Sequence, residues 1–160
     1  MTDRPEMPGY GTLPAGEGTG LLPWSWAEER LSASTNYWLA TVRPDGRPHV
    51  MPVWAVWRDG SLWFSSGGRS RKARILVADP RCSATTDDAR DPVVVEGRAE
   101  RITDPAAIAA FLTASNAKYD TDYGLDFLDP DVNGTYRLDP SWAFGVLAGD
   151  FAGSPTRWRF

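Results

Sequence analysis

Short apolar stretches and turn sequences alternate through the first half of the chain. The stretches YWLATVR (Tyr37–Arg43), PHVMPVWAVW (Pro48–Trp57) and SLWFSS (Ser61–Ser66) are rich in β-branched and aromatic residues, which suit a pleated, partly buried surface. The sequences PDG and DG separate them, and both are typical of hairpin turns. The pattern therefore predicts three consecutive antiparallel strands.

Helical spacing and further strand-like segments follow. Helices are predicted at Trp24–Ser34, just after residue 70, and after Asp104-Pro105. The apolar stripes of the last two are Ala73, Leu76, Val77, Ile108, Phe111 and Leu112. Further strand candidates are Arg81–Thr86, Val93–Ile102, Gly134–Leu138, Trp142–Leu147 and Thr156–Phe160. We expect six or seven antiparallel strands, a mainly β fold with short helices, and a small barrel, because closure removes exposed edges.

Composition sets the domain organisation. The segment Met1–Pro23 is rich in glycine and proline without apolar periodicity, which predicts a flexible arm. The remainder, 24–160, has the size of one domain. The strand Pro48–Trp57 is apolar on both faces, whereas a small barrel needs only one buried face. We therefore expect a second subunit to cover the outer face, in a homodimer.

Charge and residue counts exclude several classes of function. The chain has 17 Lys and Arg against 21 Asp and Glu, a net charge of −4, which argues against nucleic-acid binding. His49 is the only histidine and Cys82 the only cysteine, so no metal site, internal disulfide or serine-hydrolase triad is expected. No apolar stretch reaches the roughly 20 residues that span a membrane. We expect a soluble, cytoplasmic protein whose chemistry comes from a bound cofactor.

A basic run, GGRSRKARIL (Gly67–Leu76), coincides with the start of the second predicted helix. It holds Arg69, Arg71, Lys72 and Arg74. The first helical turn carries the positive end of the helix dipole, where each cation costs roughly 0.3–1 kcal/mol. The run is therefore either a solvated turn or an anion site, with Ser70 as the expected cap.

Four successive parts of the chain carry a resemblance to a known family: PHVMPVWAVW, SLWFSS, SRKARIL with ADPR, and VVVEGRAERI. Together they resemble the pyridoxamine 5′-phosphate oxidase-like flavin and deazaflavin oxidoreductases. The terminal TRWRF (Thr156–Phe160) adds to the likeness, which covers about Tyr37 to the C-terminus. The resemblance implies a split β-barrel, a homodimer, and FMN or the deazaflavin coenzyme F-420 at the subunit interface.

The resemblance also implies roles for single residues. The strand from His49 to Trp54 lies beside the cofactor ring and ribityl chain, and Ser70, Arg71 and Lys72 hold its phosphate. Trp54, Arg157 and Trp158 are candidates for the substrate side, with no catalytic residue assigned. The implied cofactor-binding residues are His49, Val50, Met51, Pro52, Val53, Trp54, Phe64, Ser65, Ser70, Arg71, Lys72 and Phe151. Arg69 and Arg74 are either solvated or reach the acidic tail of a deazaflavin, and Lys118 and Tyr119 either pack or border a pocket.

Departures from the family pattern bear on the substrate. His49 and Trp54 stand where the oxidase has an arginine and a lysine, and Pro92 replaces a glutamine. These changes argue against oxidation of pyridoxamine phosphate. We expect hydride transfer between the cofactor and an unsaturated or quinone-like small molecule. The alternatives are a non-catalytic flavin or haem carrier of the same fold, and an interaction module that uses the basic run.

Overall fold

The computed structural model describes all residues, Met1–Phe160. It contains one antiparallel sheet of nine strands with three α-helices, which confirms the predicted mainly β fold with short helices. The strands are β1 (Thr2–Asp3), β2 (Tyr37–Val42), β3 (Pro48–Val53), β4 (Ala55–Arg58), β5 (Ser61–Gly67), β6 (Arg81–Thr86), β7 (Val93–Ile102), β8 (Asn133–Gly145) and β9 (Thr156–Arg159). The helices are α1 (Trp24–Ala33), α2 (Arg71–Ala78) and α3 (Pro105–Tyr119).

The sheet bends into a barrel that hydrogen bonds do not close. Its strand order is β1-β9-β8-β7-β6-β2-β3, and β5 joins β8 to β4. Strands β3 and β4 are consecutive segments separated by Trp54, and β3 pairs only with β2 while β4 pairs only with β5. The predicted strand Pro48–Trp57 is thus two strands, and the barrel is split beside Trp54.

Strand β8 replaces two of the predicted strands. The predicted strands Gly134–Leu138 and Trp142–Leu147 are parts of one strand, because β8 continues through Asp139-Pro140 along β7. Ser141 is the extra residue on β8, and a shift in pairing between Glu96 and Gly97 of β7 accommodates it. A Cβ on Gly97 would lie 2.0 Å from the Asp139 carbonyl oxygen, so glycine allows this bulge to form.

Two apolar clusters hold the fold together. The larger fills the barrel and includes Tyr37, Leu39, Phe64, Val95 and Leu138. The smaller lies between α3 and the outer face of the sheet, and its members are Val56, Trp63, Ile108, Phe111, Leu112 and Leu128. The predicted stripe of α3 is confirmed. In α2, however, the core takes Ile75 instead of Val77, which is 77% exposed, because packing selects between the two neighbours of Leu76.

The N-terminal arm lies against the C-terminal strand, in contrast to the predicted flexible segment. Strand β1 pairs with β9, and Arg4 donates to the carbonyls of Pro155 (2.6 Å) and Gly153 (2.8 Å). Leu22 is buried in the main core. These partners are more than a hundred residues away, so the local composition did not reveal them. None of the helices is long and apolar enough to cross a membrane.

Candidate functional site

The basic run forms a tight connection between β5 and α2. Ser70 caps α2, as predicted, because its Oγ accepts a hydrogen bond from the Ala73 amide at 3.1 Å. The Oγ atoms of Ser70 and Ser66 lie 2.8 Å apart, which ties the cap to the end of β5. The helix N-terminus is therefore held rigidly at the edge of the barrel.

The four cations of this turn have no carboxylate partners. Eight other arginines have a carboxylate oxygen within 4.0 Å, but Arg69, Arg71, Lys72 and Arg74 have none. The first turn of α2 contains no acidic residue. Lys72 is half-buried, and burial lowers its pKa. Unpaired cations at the positive end of a helix are unfavourable unless an anion binds there.

Strand β3 provides an exposed apolar surface. Its edge away from β2 has no strand partner. The side chains of Val50 and Met51 are about half exposed although they are apolar, and only Val53 is buried. The Nδ1 atom of His49 lies 3.4 Å from Thr41 Oγ1. Strand β3 is therefore open to a ligand or a partner.

Phe64 and Ser65, the two predicted site residues on β5, differ in burial. Phe64 is fully buried and stacks on Tyr136, with ring centroids 5.3 Å apart. Its ring thus belongs to the core and not to the site surface, in contrast to the prediction. Ser65 is only partly buried and points to the opposite face, because side chains alternate along a strand. Trp54, 50% exposed, follows β3 and precedes the Ala55–Phe64 pair.

The C-terminal candidates lie far from β3 in the strand order. Phe151 is exposed and contacts Tyr10, with ring centroids 5.8 Å apart. The Nε and Nη2 atoms of Arg157 both donate to Asp3, each at 2.8 Å. These hydrogen bonds lower the pKa of Asp3. Strand β9 is separated from β3 by β8, β7, β6 and β2 along the main strand order, and from β4 by β8 and β5.

Trp158 is a core residue. It is 2% exposed, and its ring centroid lies 5.3 Å from that of Trp24 in an edge arrangement. This place in the core differs from the place on the substrate side that the resemblance implies for Trp158. The alternation along β9 explains the difference: Arg157 faces the arm while Trp158 faces the barrel.

Two residues at the end of α3, Lys118 and Tyr119, contact Trp54 or the residue that follows it. Tyr119 stacks on Trp54 with ring centroids 4.4 Å apart and an interplanar angle of 4°. Lys118 Nζ donates to the Tyr37 hydroxyl and to the Ala55 carbonyl, both at 2.9 Å. Burial lowers the pKa of Lys118 to about 8 and raises the pKa of Tyr37. The sequence places this pair on a helix, but the contact with Trp54 depends on the split of the strand.

Comparisons with known proteins agree with the geometry. The profile of the family described as pyridoxamine 5′-phosphate oxidase matches residues 26–140, which include the basic turn. A search among curated proteins finds no match.

Solved structures are similar over most of the chain. A conserved hypothetical protein from Mycobacterium tuberculosis has 25% identity and a TM-score of 0.67, over 76% of this chain and 82% of that one. An F-420 reductase has 28% identity and a TM-score of 0.60, over 72% and 94%. A haem-binding protein from Mycobacterium smegmatis has 23% identity and a TM-score of 0.59, over 83% and 62%. The family match extends over more than half of the chain, and the protein belongs to the pyridoxamine 5′-phosphate oxidase family with its split-barrel fold.

Proposed function

We propose that the protein is an oxidoreductase that transfers a hydride between bound FMN or coenzyme F-420 and an unsaturated or quinone-like small molecule. One observation carries the proposal: four cations without carboxylate partners surround a capped helix N-terminus. Such a turn suits the phosphate that both cofactors carry. The similarity to an F-420 reductase supports the deazaflavin, while FMN fits the same phosphate site.

The residues of the chain would mainly bind and orient. Arg71 and Lys72 would hold the phosphate together with the free amides at the start of α2. The hydroxyl of Ser70 accepts from the Ala73 amide and pairs with the Ser66 hydroxyl, and with Ser66 as the donor of that pair the Ser70 hydrogen would turn toward an oxygen of the phosphate. Strand β3 would lie along the ring and ribityl chain. The cofactor, when bound, supplies the hydride chemistry.

A homodimer is part of the proposal. Both faces of β3 are exposed, and large apolar side chains cluster around it: Trp38, Val42, Val50, Met51 and Trp54. An apolar surface of this kind is typical of an interface. We propose that the cofactor lies between the two subunits.

The test is a titration of the purified protein with FMN and, separately, with F-420, followed by absorbance and fluorescence. Replacing Arg71 and Lys72 together by alanine should weaken binding at least about 100-fold, because each charge-assisted hydrogen bond contributes about 1.5–3 kcal/mol. Arg98→Ala is the matched control, since Arg98 is also exposed and unpaired but lies on β7. Equal affinity in the double variant and the wild type would exclude the phosphate site.

A carrier that binds flavin or haem without turnover is the second candidate. It is favoured by the scarcity of acid–base side chains suited to catalysis in the chain, which has a single histidine, His49, and a single cysteine, Cys82. Steady-state oxidation of reduced cofactor by quinone acceptors distinguishes the two functions. Turnover identifies an enzyme, and stoichiometric binding without turnover identifies a carrier.

A further inference from the structure

The interruption between β3 and β4 is held by side chains from α3. Beyond Trp54, the chain no longer runs beside β2, and Ala55 pairs only with Phe64 of β5. The Tyr119 hydroxyl accepts from the Ala55 amide at 2.8 Å, and Lys118 Nζ donates to the Ala55 carbonyl at 2.9 Å. The two backbone groups that follow Trp54 therefore bond to side chains in place of a neighbouring strand.

Both of these side chains are fixed by further contacts. The Tyr119 hydroxyl lies 2.8 Å from the Thr35 carbonyl oxygen, to which it donates. Lys118 Nζ also donates to the Tyr37 hydroxyl and lies 4.8 Å from the centroid of the Tyr37 ring. No carboxylate lies within 4.0 Å of Lys118. The end of α3 thus forms a rigid corner against the split.

This corner determines how the Trp54 ring is presented. Tyr119 stacks in parallel on one face of the indole at 4.4 Å. The indole is nevertheless 50% exposed in the single chain, so part of its surface stays available for contact after Tyr119 has stacked on it. A ring that is immobilised before binding loses less conformational entropy when a ligand stacks on it. Planar conjugated molecules favour such offset-stacked contacts with aromatic rings.

We propose that Tyr119 and Lys118 are positioning residues that fix Trp54 as a stacking face for a planar, conjugated acceptor. This inference rests on the proposed function and specifies its substrate class: a flat, phosphate-free ring system. Trp54 makes the contact, and the two α3 residues act through it. The hydroxyl of Tyr119 and the amine of Lys118 hold the backbone, while the ring of Tyr119 supports the indole.

The test uses menadione, a planar quinone without phosphate, and calorimetric titration of the purified protein. Trp54→Ala and Tyr119→Leu should each weaken menadione binding about five- to tenfold, the range expected for loss of one aromatic stack. The double variant should bind no more weakly than Trp54→Ala alone, because Tyr119 acts through Trp54. Tyr119→Phe, which keeps the stack and loses the hydroxyl, should show a smaller loss and provides the result if Tyr119→Leu does not fold.

Tyr123→Leu is the matched control. Tyr123 also stacks on an exposed aromatic residue, Phe127, with centroids 4.3 Å apart, and its removal should leave menadione affinity unchanged. Absence of menadione binding to the wild type, equal binding by Trp54→Ala, or additive losses in the double variant would each overturn the proposal. The phosphate site is tested separately by the Arg71 and Lys72 titrations. Each of the two inferences can therefore fail while the other holds.

Discussion

Cations on strand β9 and cations at the start of α2 are held in opposite ways. On β9, Arg157 and Arg159 both donate to Asp3 at 2.8–2.9 Å, so each of these arginines has a carboxylate partner within the chain. At the start of α2, Arg71 and Lys72 have no such partner. The comparison indicates that the first group stabilises the attachment of the arm, whereas the second is available to an anion from outside.

Giving the basic turn a carboxylate of its own should abolish the difference. Lys72→Glu places an acid in the first turn of α2, where it interacts favourably with the helix dipole by about 0.3–1 kcal/mol. We expect the cofactor-free protein to become more stable while affinity for FMN or F-420 falls by about 3 kcal/mol or more, through a lost charge-assisted bond and repulsion of the phosphate. Thermal melts and titrations measure the two effects. A parallel fall in both would contradict the comparison.

Removing the charge of Lys72 without adding a carboxylate should also raise stability and lower cofactor affinity, and both effects should be smaller. Lys72→Met relieves the burial that lowers the pKa of Lys72, so the cofactor-free protein should melt at a higher temperature. Cofactor affinity should fall by about 1.5–3 kcal/mol. Lys118→Met is the control, since Lys118 has two hydrogen-bond partners and its loss should lower the melting temperature. If both variants melt alike, the contrast between an unpaired and a partnered lysine fails.

Ser70→Ala tests the frame of the basic turn. The variant loses the bond to the Ala73 amide, and loss of an N-cap costs about 1 kcal/mol of unfolding free energy. Denaturant unfolding measures this change, with Ser115→Ala on α3 as a control in a helix interior. An unchanged unfolding free energy would show that the cap does not hold the turn.

The smallest effect is expected at the pair formed by Asp3 and Arg157. Asp3→Asn should lower the melting temperature slightly and leave phosphate-dependent cofactor affinity unchanged. The pKa of Asp3 is lowered in the folded protein, so its stabilisation is present above its unfolded pKa of about 3.9 and is lost as the pH falls through the lower folded value. The melting temperature, measured between pH 2 and pH 6, should therefore change less with pH in the variant than in the wild type. Identical slopes would exclude the pairing.

The features predicted from sequence are those that local patterns determine. The hairpins between residues 37 and 66 follow from apolar runs and turn residues, and Ser70 capping follows from its place before α2. The split at Trp54 was missed, because the whole strand Pro48–Trp57 is apolar and only the loss of pairing with β2 divides it. The core position of Trp158 and the Asp3–Arg157 pair depend on partners at the opposite end of the chain.

The central claim is that the turn at Ser70, Arg71 and Lys72 binds a cofactor phosphate. FMN and riboflavin differ only in that phosphate, so the ratio of their affinities isolates its contribution. The account predicts that FMN binds the wild type at least about 100-fold more tightly than riboflavin, and that this ratio falls sharply when both Arg71 and Lys72 are alanine. The same ratio for F-420 and its phosphate-free chromophore extends the test to the deazaflavin. Equal affinities of the wild type for both members of each pair would contradict the account.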